Sequence, residues 1–278
     1  MKLYRLKTGI LIEEDQSFYL SQDTDWDKFI NRDNLYEEVK AEISRLRPET
    51  NGAQLLAEEL LVPIVRQEIW ASGVTYYRSK NARMEESKDA GGGDFYDRVY
   101  DAERPEIFFK ATAARTVGHL GQVHIRKDST WDVPEPELTL FINSKGQIAG
   151  YTIGNDMSSR SIEGENPLYL PQAKTYDNSA AIGPGLYITE KQIDPNANIS
   201  LEIARKEKIV FSDSISINQI KRSHQELVDF LFRECSFSHG VYLMTGTGII
   251  PPNEFTLASG DEIRISIDHI GTLINYVR

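Results

Sequence analysis

Two acidic residues stand at a spacing that places their side chains together. Glu135 and Glu137 lie in the run 133–138 (VPEPEL). Successive side chains of an extended chain point to opposite sides, so these two carboxylates are expected to share a side. Carboxylates held close together repel each other unless a cation or a proton lies between them. The pair therefore indicates either a bound cation or an exposed strand edge where water separates the charges.

A third carboxylate is expected to reach the same place. Asp156 lies in the run 150–160 (GYTIGNDMSSR). Before it, apolar residues alternate along 138–143, a turn follows at 144–147 (SKGQ), and a second strand is predicted over 148–153. A hairpin returns the end of its second strand to the start of its first. Asp156 is therefore predicted to lie beside the two glutamates.

Three carboxylates without cysteine or histidine make an all-oxygen site. Such ligands suit Mg²⁺, Mn²⁺ or Ca²⁺ better than zinc. Mg²⁺ commonly keeps several waters, which leaves positions for a chelating substrate. The residues alone leave a second interpretation open, in which Glu135 and Glu137 form a solvated strand edge and Asp156 caps a turn or a helix.

Composition and charge narrow the class of protein. The chain has 278 residues and a formal net charge of −11. An acidic chain without a basic stripe is a poor nucleic-acid binder, because phosphate neutralisation needs clustered Lys and Arg. The one cysteine, Cys235, can form no intramolecular disulfide and is expected to be buried. No stretch resembles a signal peptide or a membrane span, so we expect a cytoplasmic protein with no membrane or nucleic-acid partner.

Apolar periodicity predicts an α+β protein with a mostly β core. Short strands are expected over residues 2–13, and a helix is expected after Asn34. The buried face of that helix would contain Leu35, Val39 and Ile43. A last helix is expected to begin at Ser223, where Glu226 follows at the spacing of a capping box.

A break near residue 65 indicates two domains. We expect a small α/β N-terminal domain over 1–65 and a larger C-terminal domain over 66–278. Residues 86–98 are polar and include three successive glycines. Because glycine allows the backbone to move at low cost, this stretch is expected to form a mobile lid.

Several motifs follow one another in an order that is typical of a known family. The E-x-E pair is followed by a strand, by G-Y-T-x-x-N-D-x-S-x-R, by Lys174 and by Gly183-Pro184. In this order the chain resembles the fumarylacetoacetate hydrolase superfamily. Three further runs are similar to elements of that family: 73–77 (GVTYY), 108–110 (FFK) and 245–248 (TGTG). The resemblance covers roughly residues 70–278.

The resemblance implies a fold and a metal. The fold would be a C-terminal mixed β-roll, commonly assembled as a homodimer or a larger homo-oligomer. Glu135, Glu137 and Asp156 would bind Mg²⁺, with Mn²⁺ as the alternative ion. The 2-oxo carboxylate of a small substrate would chelate that ion, which would stabilise an enolate.

Three further residues receive roles from the resemblance. Lys174 would be a general base or a cation that stabilises the enolate. Arg160 and Thr247 would bind the substrate carboxylate, the arginine through its charged fork and the threonine through its hydroxyl and neighbouring N–H. A structural ion pair remains equally open for Arg160.

The sequence departs from the hydrolases and decarboxylases of the family. Many of these carry Y-x-x-H-x-x-E-M, whereas residues 77–84 read YRSKNARM, with Lys80 and Arg83 at the histidine and glutamate positions. Without that pair, no obvious group activates water for carbon–carbon bond hydrolysis. A cationic lid suits an anionic, hydroxylated substrate. Residues 97–106 (DRVYDAERPE) and 163–174 (EGENPLYLPQAK) resemble a subgroup that dehydrates 2-keto-3-deoxy-pentonates.

This resemblance implies a hydro-lyase that yields 2-oxoglutarate semialdehyde. Lys174 would remove a C3 proton, and Lys80 would contact the sugar acid. Glu106 would protonate the leaving C4 hydroxyl, because apolar surroundings favour the protonated form of a carboxyl group.

Two alternatives remain open from the sequence. The nearer is another activity of the family, namely acylpyruvate hydrolysis, oxaloacetate decarboxylation or dienoate hydration. The missing histidine–glutamate pair argues against the first two. The farther alternative is a non-catalytic module that binds a metal and a 2-oxo acid. Lys174 argues against it, since binding alone does not require a lysine beside the carboxylates.

Overall fold

The computed structural model describes residues 1–79, 84 and 98–278. Strands dominate this part of the chain. The first strands are β1 (Lys2–Arg5), β2 (Ile10–Glu14), β3 (Ser17–Leu20), β4 (Glu68–Gly73), β5 (Glu106–Thr112), β6 (Thr116–Val117), β7 (Gly121–Val123) and β8 (Asp132–Val133). The remaining strands are β9 (Pro136–Ile142), β10 (Ile148–Asp156), β11 (Ser158–Ser159), β12 (Ala180–Tyr187), β13 (Asn198–Arg205), β14 (Lys208–Ser216), β15 (Val241–Met244), β16 (Glu262–Ile267) and β17 (Gly271–Val277).

The helices are short and lie between the strands. They are α1 (Trp26–Ile30), α2 (Leu35–Ile43), α3 (Gly52–Glu59), α4 (Arg160–Glu165), α5 (Leu170–Lys174) and α6 (His224–Leu231), with 3₁₀ turns at Ala113–Arg115, Pro167–Tyr169 and Ile217–Gln219. Helix α6 begins as predicted, because the Ser223 side chain accepts a hydrogen bond from the Glu226 amide. None of the helices in the described residues is both long and apolar enough to cross a membrane.

A ten-stranded main sheet organises the molecule. Its order is β3-β2-β1-β12-β10-β9-β15-β4-β5, and β6 pairs beside β12. Most neighbours are antiparallel, whereas β15 with β4 and β12 with β6 are parallel. The predicted hairpin is confirmed as β9 and β10, in which Glu137 pairs with Gly154. This register brings Asp156, two residues beyond Gly154, to the level of Glu135.

Both faces of the main sheet are covered. On one face, Leu138 and Ile153 pack with Leu201 and Ile265 of a second, five-stranded sheet ordered β14-β13-β16-β17-β7. On the other face, Phe141 belongs to the same apolar cluster as α1 and α2. Every residue of β9 is therefore buried. The expected α+β class with a mostly β core is confirmed, and the sheets are open and mixed.

The first 65 residues share their core with the main sheet. Strand β1 pairs with β12 through Leu3 and Leu186. The three residues predicted for the buried face of α2 are buried, namely Leu35, Val39 and Ile43. They pack in one cluster with Phe141 and Met244. A domain boundary near residue 65 stays a prediction, and so does the lid, because residues 86–97 lie outside the described residues.

One expectation about burial is wrong. Cys235 is exposed, although its sequence neighbours suggested a buried thiol. Helix α6 ends at Leu231, which is buried, and the following turn carries the charged residues Arg233 and Glu234 to the surface together with the cysteine. The apolar run therefore ends one turn earlier than its composition indicated.

The shared core predicts the behaviour of a truncated chain. Deletion of residues 1–65 would expose Phe141 and Met244 and leave β12 without its partner β1. We expect the fragment 66–278 to aggregate or to lose a cooperative thermal transition, measured by size-exclusion chromatography and circular dichroism. Phe29→Ala in the full chain should cost about 3–5 kcal/mol of stability. A monodisperse fragment that melts cooperatively near the full-length temperature would contradict this and support an independent C-terminal domain.

Candidate active site

Three carboxylates meet at the open end of the β9–β10 hairpin. Glu135 precedes β9, Glu137 is the second residue of that strand, and Asp156 is the last residue of β10. The Asp156 amide donates to the Glu135 carbonyl oxygen over 3.0 Å. One carboxylate oxygen from each residue lies within 4.8 Å of the others, and all three side chains are buried. The hairpin thus brings together the acids that the sequence predicts as a set.

Burial makes this cluster unfavourable unless positive charge lies nearby. Loss of water raises the pKa of Glu137, and the charges of Asp156 and Glu135 raise that pKa further. A cation placed among the three groups would favour their ionised forms. Oxygen donors without sulfur or nitrogen suit a hard divalent ion. The residues present therefore fit the expected Mg²⁺ or Mn²⁺.

Lys174 reaches the cluster from the end of α5. Its Nζ lies 2.5 Å from Glu135 Oε2 and 3.0 Å from Asp156 Oδ2, and it donates to Ser158 Oγ over 2.6 Å. The side chain is 1% exposed. Lys174 is therefore not an ordinary surface lysine, because two buried carboxylates and a hydroxyl hold its ammonium inside the site.

Lys110 is a second buried cation, to which the sequence assigned no role. Its Nζ lies 2.5 Å from Asp156 Oδ1 and donates to the carbonyl oxygens of Met157, over 2.9 Å, and Lys174. Burial lowers its pKa, while the charge of Asp156 opposes that change. Lys110 thus ties the end of β10 to the end of α5. A lysine after two phenylalanines in a strand was the available indication, since such a charge needs a buried partner.

Helix α4 contributes two further charged residues to the site, Arg160 and Glu163. Arg160 Nη2 lies 2.7 Å from Glu135 Oε1, and Nη1 lies 3.7 Å from Glu163 Oε2. Glu163 Oε1 is 3.8 Å from Lys174 Nζ. Both Arg160 and Glu163 are 2% exposed. The sequence analysis placed Arg160 at the site but did not single out Glu163, although an acid three residues after an arginine on a helix indicates a pair.

The predicted 245–248 loop contacts the cluster through its backbone. The Gly246 amide donates to Glu137 Oε2 over 2.5 Å. Gly246 has a φ of +93°, and a Cβ at that position would lie 2.0 Å from Thr75 Oγ1, so glycine is required there. Thr247 is buried next to this contact, and its hydroxyl accepts from the Ile249 amide over 3.2 Å. The loop therefore orients Glu137 through the Gly246 amide.

Glu106 is the first residue of β5 and is half-buried. It shares a side of the strand with Phe108, whose ring centre lies 5.8 Å from Lys174 Nζ. Its carboxylate lies over Gly73 of β4, where a Cβ would come within 2.1 Å of Glu106 Oε2. Glycine at position 73 therefore leaves the space that the Glu106 carboxylate occupies. Lys80, the remaining predicted substrate-binding residue, lies outside the described residues.

Known proteins resemble this chain in sequence. The family model described as Fumarylacetoacetate (FAA) hydrolase C-terminal matches residues 69–278. A probable 2-keto-3-deoxyxylonate dehydratase of Haloferax volcanii is 48% identical over 217 residues, which are 78% of this chain and 74% of that protein. A 2-dehydro-3-deoxy-D-arabinonate dehydratase of Saccharolobus solfataricus is 41% identical over 218 residues, which are 78% of this chain and 73% of that protein.

A solved structure resembles the whole chain. The structure of 2-keto-3-deoxy-D-arabinonate dehydratase complexed with magnesium and 2,5-dioxopentanoate aligns with a TM-score of 0.86 and 34% identity. The alignment covers 100% of this chain and 99% of that one, so it includes the first 65 residues. The resemblance stated from the motifs is confirmed, and the chain belongs to the fumarylacetoacetate hydrolase family.

Proposed function

We propose that this protein is a Mg²⁺-dependent dehydratase of a 2-keto-3-deoxy-pentonate and that its product is 2-oxoglutarate semialdehyde. This proposal depends on one observation above all: Lys174 is buried against two of three carboxylates that together fit a divalent cation. The names of the two dehydratase relatives support this reaction. So does the ligand of the solved structure, because 2,5-dioxopentanoate is the same compound as 2-oxoglutarate semialdehyde.

We assign the metal to Glu135, Glu137 and Asp156, with Mn²⁺ able to replace Mg²⁺. When bound there, the ion supplies positive charge beside the carboxylate and carbonyl oxygens of the substrate, which makes the C3 proton more acidic. The Gly246 amide keeps the Glu137 carboxylate oriented. Lys110 does the same for Asp156.

We assign the two proton transfers that remove water from the substrate to Lys174 and Glu106. Lys174 removes the C3 proton as the neutral amine, and its position beside two of the proposed metal ligands supports this assignment. Glu106 donates a proton to the C4 hydroxyl, which leaves as water while a double bond forms between C3 and C4. The resulting 5-hydroxy-2-oxopent-3-enoate tautomerises to 2-oxoglutarate semialdehyde: a proton leaves C5 and one is added at C3, and the enol so formed then loses its hydroxyl proton and gains one at C4. The place of Glu106 at the start of β5, on the same side of the strand as Phe108, supports this assignment.

Substrate recognition is assigned to three residues. Arg160, whose guanidinium also pairs with Glu135 and Glu163, and Thr247, which follows the glycine that donates to Glu137, are assigned to the substrate carboxylate. Lys80 is assigned to the sugar acid on its charge and its position in the run 77–84. The expected homodimer or larger homo-oligomer and the cytoplasmic location stay predictions from the sequence.

A turnover assay tests the reaction. Purified protein with Mg²⁺ should remove one water from a 2-keto-3-deoxy-pentonate, detected by mass, and EDTA should stop the reaction. Glu137→Gln should abolish turnover because the metal loses a ligand, whereas Glu202→Gln, on an exposed site of β13, should behave as wild type. Acylpyruvates and oxaloacetate are the comparison substrates. Cleavage or CO₂ release from them, with the sugar acid untouched, would contradict the dehydratase assignment.

Substitution of Lys174 separates catalysis from binding. Lys174→Met should lower kcat by about 10²–10⁴-fold, the usual contribution of a positioned acid–base group. It should bind Mg²⁺ at least as tightly as wild type in a calorimetric titration, because a competing ammonium has been removed. Lys208→Met, on the exposed start of β14, is the control. A kcat near that of wild type would rule out Lys174 as the base. Metal and 2-oxo-acid binding with no turnover in either protein would favour a non-catalytic module.

A further inference from the structure

Four buried side chains form a closed ring of alternating charge, the charge ring, made of Glu135, Arg160, Glu163 and Lys174. Arg160 and Lys174 each contact a different oxygen of Glu135, over 2.7 Å and 2.5 Å. The same two cations each lie near a different oxygen of Glu163, over 3.7 Å and 3.8 Å. Each cation is thus shared by two carboxylates, and both sit closer to Glu135.

A metal ion bound at Glu135 would compete with these two contacts. Both oxygens of that carboxylate are in contact with a cation, and a divalent ion needs at least one of them. Lys174 also contacts Asp156, a second proposed ligand, so it is the cation most directly in the way. A divalent ion bound to these carboxylates and the Lys174 ammonium would repel each other strongly, because the protein interior screens charge poorly. A divalent ion bound there would therefore push the Lys174 ammonium away from Glu135.

A withdrawn ammonium still needs a buried partner. Removing one member of a buried ion pair is strongly destabilising, because the other charge is left uncompensated. Glu163 is the carboxylate of the charge ring that is not a proposed metal ligand. It is 2% exposed and already lies at ion-pair distance from Lys174. A displacement of about one ångström would convert that distance into a hydrogen bond.

We propose that Glu163 is a positioning residue that receives the Lys174 ammonium when a divalent cation binds Glu135, Glu137 and Asp156. Arg160 holds Glu163 in place, since both project from the same helix three residues apart. The exchange keeps Lys174 beside the metal instead of driving it away from the substrate. This inference rests on the proposed metal site.

Calorimetric titration with Mg²⁺ tests the role of Glu163. Glu163→Gln should weaken Mg²⁺ binding by about 10–100-fold, the usual effect of losing a partner outside the ligand set. Glu163→Asp keeps the charge and should recover part of the affinity. Glu165→Gln removes an exposed acid from the same helix and should leave the affinity unchanged. Unaltered affinity in folded Glu163→Gln would overturn the proposal.

A double variant shows whether Glu163 acts as the new partner of the Lys174 ammonium or only attracts Mg²⁺ from a distance. In a Lys174→Met background no ammonium needs a new partner, so Glu163→Gln should then change the Mg²⁺ affinity far less than it does in wild type. An equal loss in both backgrounds would show that Glu163 acts only as a distant negative charge and would overturn the exchange. If wild-type protein bound no Mg²⁺, the metal site itself would fail. Mg²⁺ binding without sugar-acid turnover would reject only the proposed reaction.

Discussion

Carboxylates that are buried side by side repel each other, and the site can exist only because other groups offset that repulsion. Glu135, Glu137 and Asp156 have almost no contact with water, so solvent cannot screen their charges. Lys110, Lys174 and Arg160 supply the opposing charge from three different elements. With Glu163 included, the described residues of the site comprise four acidic and three basic side chains. One formal negative charge remains, and a divalent cation would turn it into a single positive charge that suits a monocarboxylate substrate.

The two sheets explain why the acidic and basic side chains of the site keep their relative positions. The hairpin register fixes Asp156 against Glu135, and the covered faces of the main sheet prevent the strands from shifting. The Gly246 amide and the Lys110 ammonium each hold one acid from outside the hairpin. A site built on strands and short helices in this way is more rigid than one built on loops.

The parts of the site that are local in sequence could be predicted, and the parts that depend on distant contacts could not. Alternation and a turn sufficed to place Asp156 beside the glutamates. Lys110 could not be assigned, because its partners come from the ends of β10 and α5, far along the chain. Glu163 was missed for the same reason, because its role depends on contact with Lys174, which lies on a different helix. The exposure of Cys235 depended on where α6 ends, which composition does not determine.

Anomalous diffraction from crystals grown with Mn²⁺ would test the central claim most directly, because it locates the ion without relying on activity. We expect one strong peak with an oxygen from each of Glu135, Glu137 and Asp156 within about 2.5 Å. A peak at another place, or none in protein whose turnover requires Mn²⁺, would contradict the assignment of these three carboxylates as the metal site.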